Sequence, residues 1–505
     1  MTQPNILFFQ VDQLAAQSLR AYGDNICVSP NIDRLASNGV VFENAYCNFP
    51  LCSPSRFSMA AGQLCSVIGA YDNAAEMPAS VPTYAHYLRA QGYNTALSGK
   101  MHFIGPDQMH GFETRLTADI YPADFSWVPN WGAEGKRDTN DPRVILVAGT
   151  AERTVQMDFD EEVTHRAIQH LYSLARSAEE RPFFLQVSYT HPHDPFLCRK
   201  EYWDLYKHDE IPLPAVGAFA EDLHDPHSIR LLRDWGLLGY KFSDSDIRRA
   251  RHAYYGSISY LDSMIGRILE TLRATGQDKN TAIVLTSDHG EMMGERGLWM
   301  KKHFFERSMR VPLLLNAPWI GAQRVSELVS LCDLLPTFNG IAQGTPWESP
   351  VEELEGVDLM TLLNKGNPAS SRTIHAEYLA ESTEAPIFML RRGPYKYVHS
   401  ASDPALLFDV EADPDEMRNL ALDPALSDVV AGFERAVASK WDEERLRKDI
   451  LLSQRRRNLV LEANSVGVAP RWNHGEAAGE KVLWYRGDTS YNEWAFSFLP
   501  QLEKL

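Results

Sequence analysis

NILFFQVDQ, residues 5–13, is an apolar run that ends on a carboxylate. Its apolar and polar side chains do not alternate, so both faces of the extended chain suit burial, as in the central strands of a parallel sheet. The same kind of run recurs as NTALS (94–98), PFFLQVSY (182–189) and AIVLTS (282–287). Between the runs lie helical patterns: NIDRLASNGV (31–40), PTYAHYLRAQG (82–92), FDEEVTHRAIQHLYSLARS (159–177) and RHAYYGSISYLDSMIGRILETLRATG (251–276), the last stopping at Gly276. Strands alternating with helices specify an α/β domain with a largely parallel sheet.

Polar residues follow each run: Asp12 after the first, Lys100 and His102 after the second, His191 and His193 after the third, Asp288 and His289 after the fourth. Ligand sites of open α/β sheets lie beyond the carboxyl ends of the strands, so these residues are expected to converge despite their separation in sequence. Any one of them alone is ordinary loop polarity; four such positions in register predict a site.

FPLCSPSRFS (49–58) adds a thiol. Ser53 and Pro54 predict a helix N-cap and first helical residue, which puts Cys52 just ahead of the helix. Free N–H groups and the positive dipole end favour an anion there, and Arg56 lies one turn in. Cys52 is then a candidate nucleophile. On these residues alone, a buried cysteine beside a structural arginine is the plainer reading. The six cysteines (27, 47, 52, 65, 198, 332) form no CxxC pair, and a chain of this length needs no disulfides for stability.

The 505 residues, 44% hydrophobic and 10% aromatic, suffice for one large core and a smaller second one. A net charge of −18 spread along the chain argues against a nucleic-acid partner or an anionic membrane. The start, MTQPNILFFQVDQ, has no basic flank, and Gln10 and Asp12 break its apolar run. It resembles neither a signal peptide nor an anchor, and a cytoplasmic location is expected.

Cys52-Ser53-Pro54-Ser55-Arg56 fits the C-x-P-S-R signature of the type I sulfatases of the alkaline phosphatase superfamily, and the chain is identified as resembling that family. PNIDRLASNGVVFENAY (30–46), GYNTALSGKMH (92–102), VSLCDLLPTF (329–338) and LLFDVEADPDEMRNLA (406–421) are similar to its other motifs, in its order. Within the family, YDNAAE (71–76), SGKMHFIGPDQMHGFE (98–113), TADIYPADFSW (117–127), THPHDPF (190–196), GERGLWMKKHFFE (294–306) and the tail after residue 440 look like the bacterial choline sulfatases.

The resemblance implies an alkaline-phosphatase-like α/β sandwich, with a large central, mostly parallel sheet and a smaller C-terminal α+β domain. Its expected divisions are a catalytic domain (1–372), a small subdomain (373–440) and a docking or oligomerisation tail (441–505), in a homo-oligomer, dimer or tetramer. It implies hydrolysis of a small alkyl sulfate monoester, with choline sulfate as the lead, after a separate formylglycine-generating enzyme has oxidised Cys52. Asp12, modified Cys52, Asp288 and His289 would hold one divalent ion. Mostly oxygen donors suit Ca²⁺, Mg²⁺ or Mn²⁺, and the imidazole favours Mn²⁺ modestly. Many sulfatases carry a second acidic residue where this chain has Gln13, which leaves the ligand number open.

By the same analogy the hydrated aldehyde attacks sulfur, Lys301 or His193 protonates the leaving alcohol, and His102 accepts a proton as sulfate is expelled. Lys100, Arg56 and Asn73 would bind sulfate oxygens. His191 is expected to have no catalytic part and Lys302 to be solvated. A quaternary ammonium group seeks aromatic faces and a carboxylate, and Trp127, Glu381 and Asp488 resemble the choline-binding residues of that branch. GAEGKRDTNDPRVILVAG (132–149) departs from the branch's pattern, and Arg143 within it would repel a cation. Two alternatives stay open: a phosphonate monoester or phosphodiester hydrolase on the same scaffold, and an inert sulfate-ester-binding protein in which Cys52 stays a thiol.

Overall fold

The computed structural model describes residues 3–131, 143–178, 180–347, 350–363, 372–475, 484–487 and 489–497. In chain order the strands are β1 (Asn5–Val11), β2 (Val40–Tyr46), β3 (Asn94–Gly99), β4 (Thr114–Arg115), β5 (Gly149–Thr150), β6 (Phe183–Ser188) and β7 (Leu197–Cys198). They continue as β8 (Thr281–Ser287), β9 (Leu313–Asn316), β10 (Gln323–Ser330), β11 (Thr373–Tyr378), β12 (Ile387–Arg392), β13 (Tyr395–Ser400) and β14 (Asp403–Asp409). Eight of them form one sheet in the order β10-β2-β9-β8-β1-β6-β3-β4. Within it only β9 runs antiparallel to its neighbours, β2 and β8. Strands β5 and β7 pair with each other.

The absence of alternation in β1 has a direct cause. Ile6 and Phe8 enter a core shared with the helices Cys52–Ala61, Tyr84–Ala90 and Leu334–Gln343, whereas Leu7, Phe9 and Val11 enter a second core against the helices Val155–Arg176 and Asp244–Ala274. Both faces of the sheet are covered by helices, so residues of both parities are apolar.

Register then sets the height of everything that follows the strands. Val11 lies opposite Ser287, Gln10 opposite Ser188, and Ser188 opposite Gly99. Asp12, Lys100 and Asp288 therefore leave the sheet at nearly one level. Gly99 allows this: its φ is +111°, and a Cβ there would overlap the Ser188 carbonyl of the adjacent strand.

The smaller sheet, β11-β12-β13-β14, is antiparallel throughout. It packs with the helices Ser427–Lys440 and Glu443–Asn464 as a C-terminal α+β domain. Described residues of the tail after residue 440 contact the rest of the chain. Trp441 stacks on Phe388 at 4.3 Å, Arg457 makes a buried two-pronged ion pair with Asp72 (2.6 and 2.7 Å), and the Tyr485 N–H donates to the Ile120 carbonyl. Among the described residues no helix is long and apolar enough to cross a membrane.

Candidate active site

Four side chains from three segments meet at the carboxyl edge of the sheet. One ligand atom each from Asp12, Cys52, Asp288 and His289 lie within 4.8 Å of one another, all buried. His289 Nε2 is 3.3 Å from Cys52 Sγ, 3.6 Å from Asp288 Oδ1 and 3.7 Å from Asp12 Oδ1. His289 Nδ1 faces the Gly290 carbonyl at 3.1 Å, which only accepts, so Nδ1 carries the proton and the Nε2 lone pair points into the cluster. Two carboxylates, an imidazole and the side chain at position 52, all shielded from water, fit a divalent cation.

The second oxygen of each aspartate belongs to cations of the protein. Arg56 Nε donates to Asp288 Oδ2 at 2.8 Å and Nη2 to Asp12 Oδ2 at 3.3 Å, while Lys100 Nζ also contacts Asp12 Oδ2. Burial opposes ionisation of Asp12, but its cationic neighbours, Lys100 foremost, outweigh it and hold its carboxyl well below the usual range. Burial and Asp12 likewise oppose a thiolate at Cys52, yet its cationic neighbours, Lys100 and then Lys301, bring its thiol well below the ordinary value.

Arg56, expected to bind sulfate oxygens, does something else. Besides the two carboxylates, its Nη1 donates to the Lys100 carbonyl (2.6 Å) and to Ser188 Oγ (2.9 Å), and the side chain is fully buried. Its donors face the two carboxylates that the register brings level, so it braces the cluster from behind. The helix expected to start at Pro54 starts at Cys52, with Leu51 at the N-cap. Ser53 is not a cap: its Oγ donates to the His102 carbonyl and its N–H to Asn73 Oδ1 (3.0 Å). Asn73, another expected sulfate ligand, thus spends its carbonyl oxygen on the helix N-terminus.

Both candidate proton donors occupy one side of the cluster. His193 Nδ1 lies 2.7 Å from the Asp194 carbonyl and therefore carries its proton, which leaves Nε2 to accept from Lys301 Nζ at 2.8 Å. Of the pair, Lys301 holds the mobile proton. Burial favours its neutral form, but Cys52, Asp194, Asp12 and Asp288 prevail and keep it charged. His102 is buried, and neither ring nitrogen meets a hydrogen-bond partner among the described residues. Burial, then Lys100, pull its pKa to about 3, so the imidazole rests neutral. Lys100 also sits over the Tyr121 ring, 4.3 Å from its centroid.

Trp127 stands beside His102, edge-on at 5.5 Å, and stacks on Tyr485 at 5.5 Å, with Tyr121 and Tyr491 next to it. Two expectations need correction. Lys302 is buried rather than solvated, and its Nζ pairs with Glu381 Oε1 at 2.7 Å. Residue 302 has a left-handed backbone (φ 80°), which sends its side chain away from that of Lys301. Consequently the Glu381 carboxylate is not an unpaired anion waiting for a cationic substrate. Burial raises its pKa, and Lys302 more than offsets that. Asp488 and residues 132–142 of the divergent stretch lie outside the described residues, and of the Arg143 side chain nothing is described. His191 is a buried loop histidine whose Nδ1 bonds Asp160 Oδ2 at 2.7 Å.

Several residues at the site escaped sequence reasoning: Tyr121, Tyr491, Asp194 and Glu291. Asp194 was visible as the acid inside HPHDP and Tyr121 lay within TADIYPADFSW, but neither motif showed what its side chain would meet.

Comparison with known proteins agrees with this geometry. The profile of the sulfatase family matches residues 4–345, and that of the C-terminal region of N-sulphoglucosamine sulphohydrolase matches residues 294–443. The chain is 43% identical over 481 residues to a choline-sulfatase of Rhizobium meliloti, covering 94% of this chain and 93% of the relative. It is 29% identical over 500 residues to the multifunctional alkaline phosphatase superfamily protein PehA of Trinickia caryophylli, covering 87% and 95%. In fold it resembles the phosphonate monoester hydrolase of Silicibacter pomeroyi (TM-score 0.71, 24% identity, 86% and 94% covered).

Proposed function

The chain belongs to the sulfatase family and is a sulfate-ester hydrolase, and on that premise we propose that its substrate is a sulfate monoester of a small alkyl alcohol, choline sulfate first among them. The observation that carries the reading is the buried meeting of Asp12, Cys52, Asp288 and His289, with Lys100 and Lys301 on its flanks. The 43% identical choline-sulfatase and the aromatic lining around Trp127 support the choice of alcohol. Pairing of Glu381 with Lys302 weakens the case for a cationic headgroup at that carboxylate.

A divalent ion held by Asp12, Asp288, His289 and residue 52 would neutralise ester oxygens and acidify a hydroxyl group bound to it. Cys52 oxidised to formylglycine by its modifying enzyme would supply one hydroxyl to attack sulfur and a second whose collapse frees sulfate. Everything else is done by the chain itself. Arg56 and Lys100 fix Asp12 and Asp288 in place. Lys100 has N–H donors left for the sulfate oxygens that face it. Lys301 delivers a proton to the departing alkoxide, a poor leaving group at neutral pH. His102, whose ring nitrogens meet no hydrogen-bond partner among the described residues, is the group placed to receive the proton released as sulfate leaves. Six free, buried cysteines suit the reducing cytoplasm in which we place the enzyme.

A second reading stays open, turnover of phosphonate monoesters or phosphodiesters at the same site; the relative PehA is described as multifunctional. One set of assays tests both. The parent enzyme is expected to turn over choline sulfate faster than a phosphonate monoester. Lys301→Ala should then lower kcat/KM for choline sulfate by roughly 10²–10⁴-fold, and for an activated aryl sulfate by far less, because a phenolate leaves without a proton. A parent enzyme faster on phosphonate would favour the second reading. An equal loss on alkyl and aryl esters would remove Lys301 from the acid role.

A further inference from the structure

We infer that Gln13 is a positioning residue for the proton donor: it aims the Lys301 ammonium while taking no part in holding the cation. The inference rests on the sulfatase reading and on the bonds of a single side chain. Gln13 Oε1 accepts from Lys301 Nζ; its Nε2 donates to Glu291 Oε2 at 2.5 Å and to Asp194 Oδ1 at 3.2 Å. None of these partners belongs to the four-residue cluster. The main chain of residue 13 serves that cluster instead, its N–H donating to Asp288 Oδ1 at 3.1 Å, and it is pinned from behind by the Tyr254 hydroxyl on its carbonyl at 2.7 Å.

The choice of residue follows from what surrounds it. The position must accept from an ammonium on one side and donate to carboxylates on the other. Aspartate and glutamate only accept, lysine and arginine only donate, and a hydroxyl group or a neutral imidazole has a single proton to give; the glutamine amide accepts once and donates twice, as the three bonds require. An acidic residue here would also set a third carboxylate beside those of Asp194 and Glu291. Moreover, Gln13 has a left-handed backbone (φ 66°). Glycine would relieve that strain, so the side chain is kept at a conformational cost. Glu291 is itself held by the Met293 and Met300 N–H groups at 3.0 and 2.6 Å, which ties Gln13 to the loop that carries Lys301.

Two sulfate esters, one alkyl and one activated aryl, test this together with the bound-metal content of the holoenzyme. Gln13→Ala should lower kcat on the alkyl ester by roughly 10–100-fold, leave the aryl ester within about threefold, and leave KM little changed. Manganese per chain, measured by mass spectrometry of the dialysed holoenzyme, should match the parent. In a Lys301→Ala background the second substitution should add less than about twofold, since it acts through a group already gone. Gln13→Asn, one methylene too short to span Lys301 and Glu291, should repeat the pattern and serves if the alanine variant does not fold. Loss of manganese, equal slowing of both esters, or full additivity with Lys301→Ala would each overturn the inference. A parent enzyme inactive on both esters would instead sink the sulfatase reading and take the inference with it.

Discussion

Cys52→Ala abolishes turnover, by at least about 10⁴-fold, while the enzyme stays folded. The substitution removes the atom that must carry the attacking oxygen, and among the described residues the other side chains of the cluster are already engaged. Asp12 and Asp288 face Arg56 and each other, and His289 turns its lone pair into the same cluster. Binding residues and flanking lysines survive, so KM for residual activity should change less than kcat. The fold has little reason to fail: one sulfur is lost at the first turn of a helix whose remaining nine residues are buried. A thermal midpoint within a few degrees of the parent is expected, as for a small, conservative core change. Cys52→Ser keeps an oxygen but cannot form the aldehyde hydrate, and it should stall after one attack.

Arg56→Leu should cost more stability than any other substitution at the site. The guanidinium is fully buried and bonds two carboxylates, a carbonyl and a hydroxyl. Removing it leaves Asp12 and Asp288 without their buried counter-charge, and breaking such a pair typically costs about 3–5 kcal/mol. Urea denaturation should show that loss as a lower midpoint, larger in chelator than with manganese, because a bound cation partly replaces the missing charge. With Arg56 gone, the Asp12 carboxyl titrates higher, and the apo variant loses cation affinity at mildly acidic pH before the parent does. A midpoint unchanged in chelator would show that the carboxylates are neutralised in some other way.

How much of this was legible beforehand depends on what kind of information each feature needs. The strands β1, β6 and β8 were visible because a buried parallel strand must be apolar on both faces, and NILFFQV, PFFLQVSY and AIVLTS are. The convergence of Asp12, Lys100, His193 and Asp288 was legible because a parallel sheet ends its strands at one edge. Backbone handedness was not. Gln13, His102, Met300 and Lys302 all adopt positive φ, and no residue type announces that. Lys302 therefore pointed somewhere that spacing alone could not tell. Arg56 was recognised, but its partners depend on the register of β1 with β8, a long-range property. Gln13 stood out only as a departure from a family pattern; its meaning came from Asp194, Glu291 and Lys301, the farthest of them 288 positions along the chain.

The central claim is that an oxidised side chain at position 52, set beside a cation held by Asp12, Asp288 and His289, is what hydrolyses the ester. Mass spectrometry of peptides spanning residue 52, made on preparations whose specific activity toward choline sulfate has been measured, tests it directly. The account predicts a species about 18 Da lighter than the cysteine form, in a fraction proportional to activity and falling to zero with it. Full activity from a preparation in which residue 52 is entirely unmodified cysteine would contradict it.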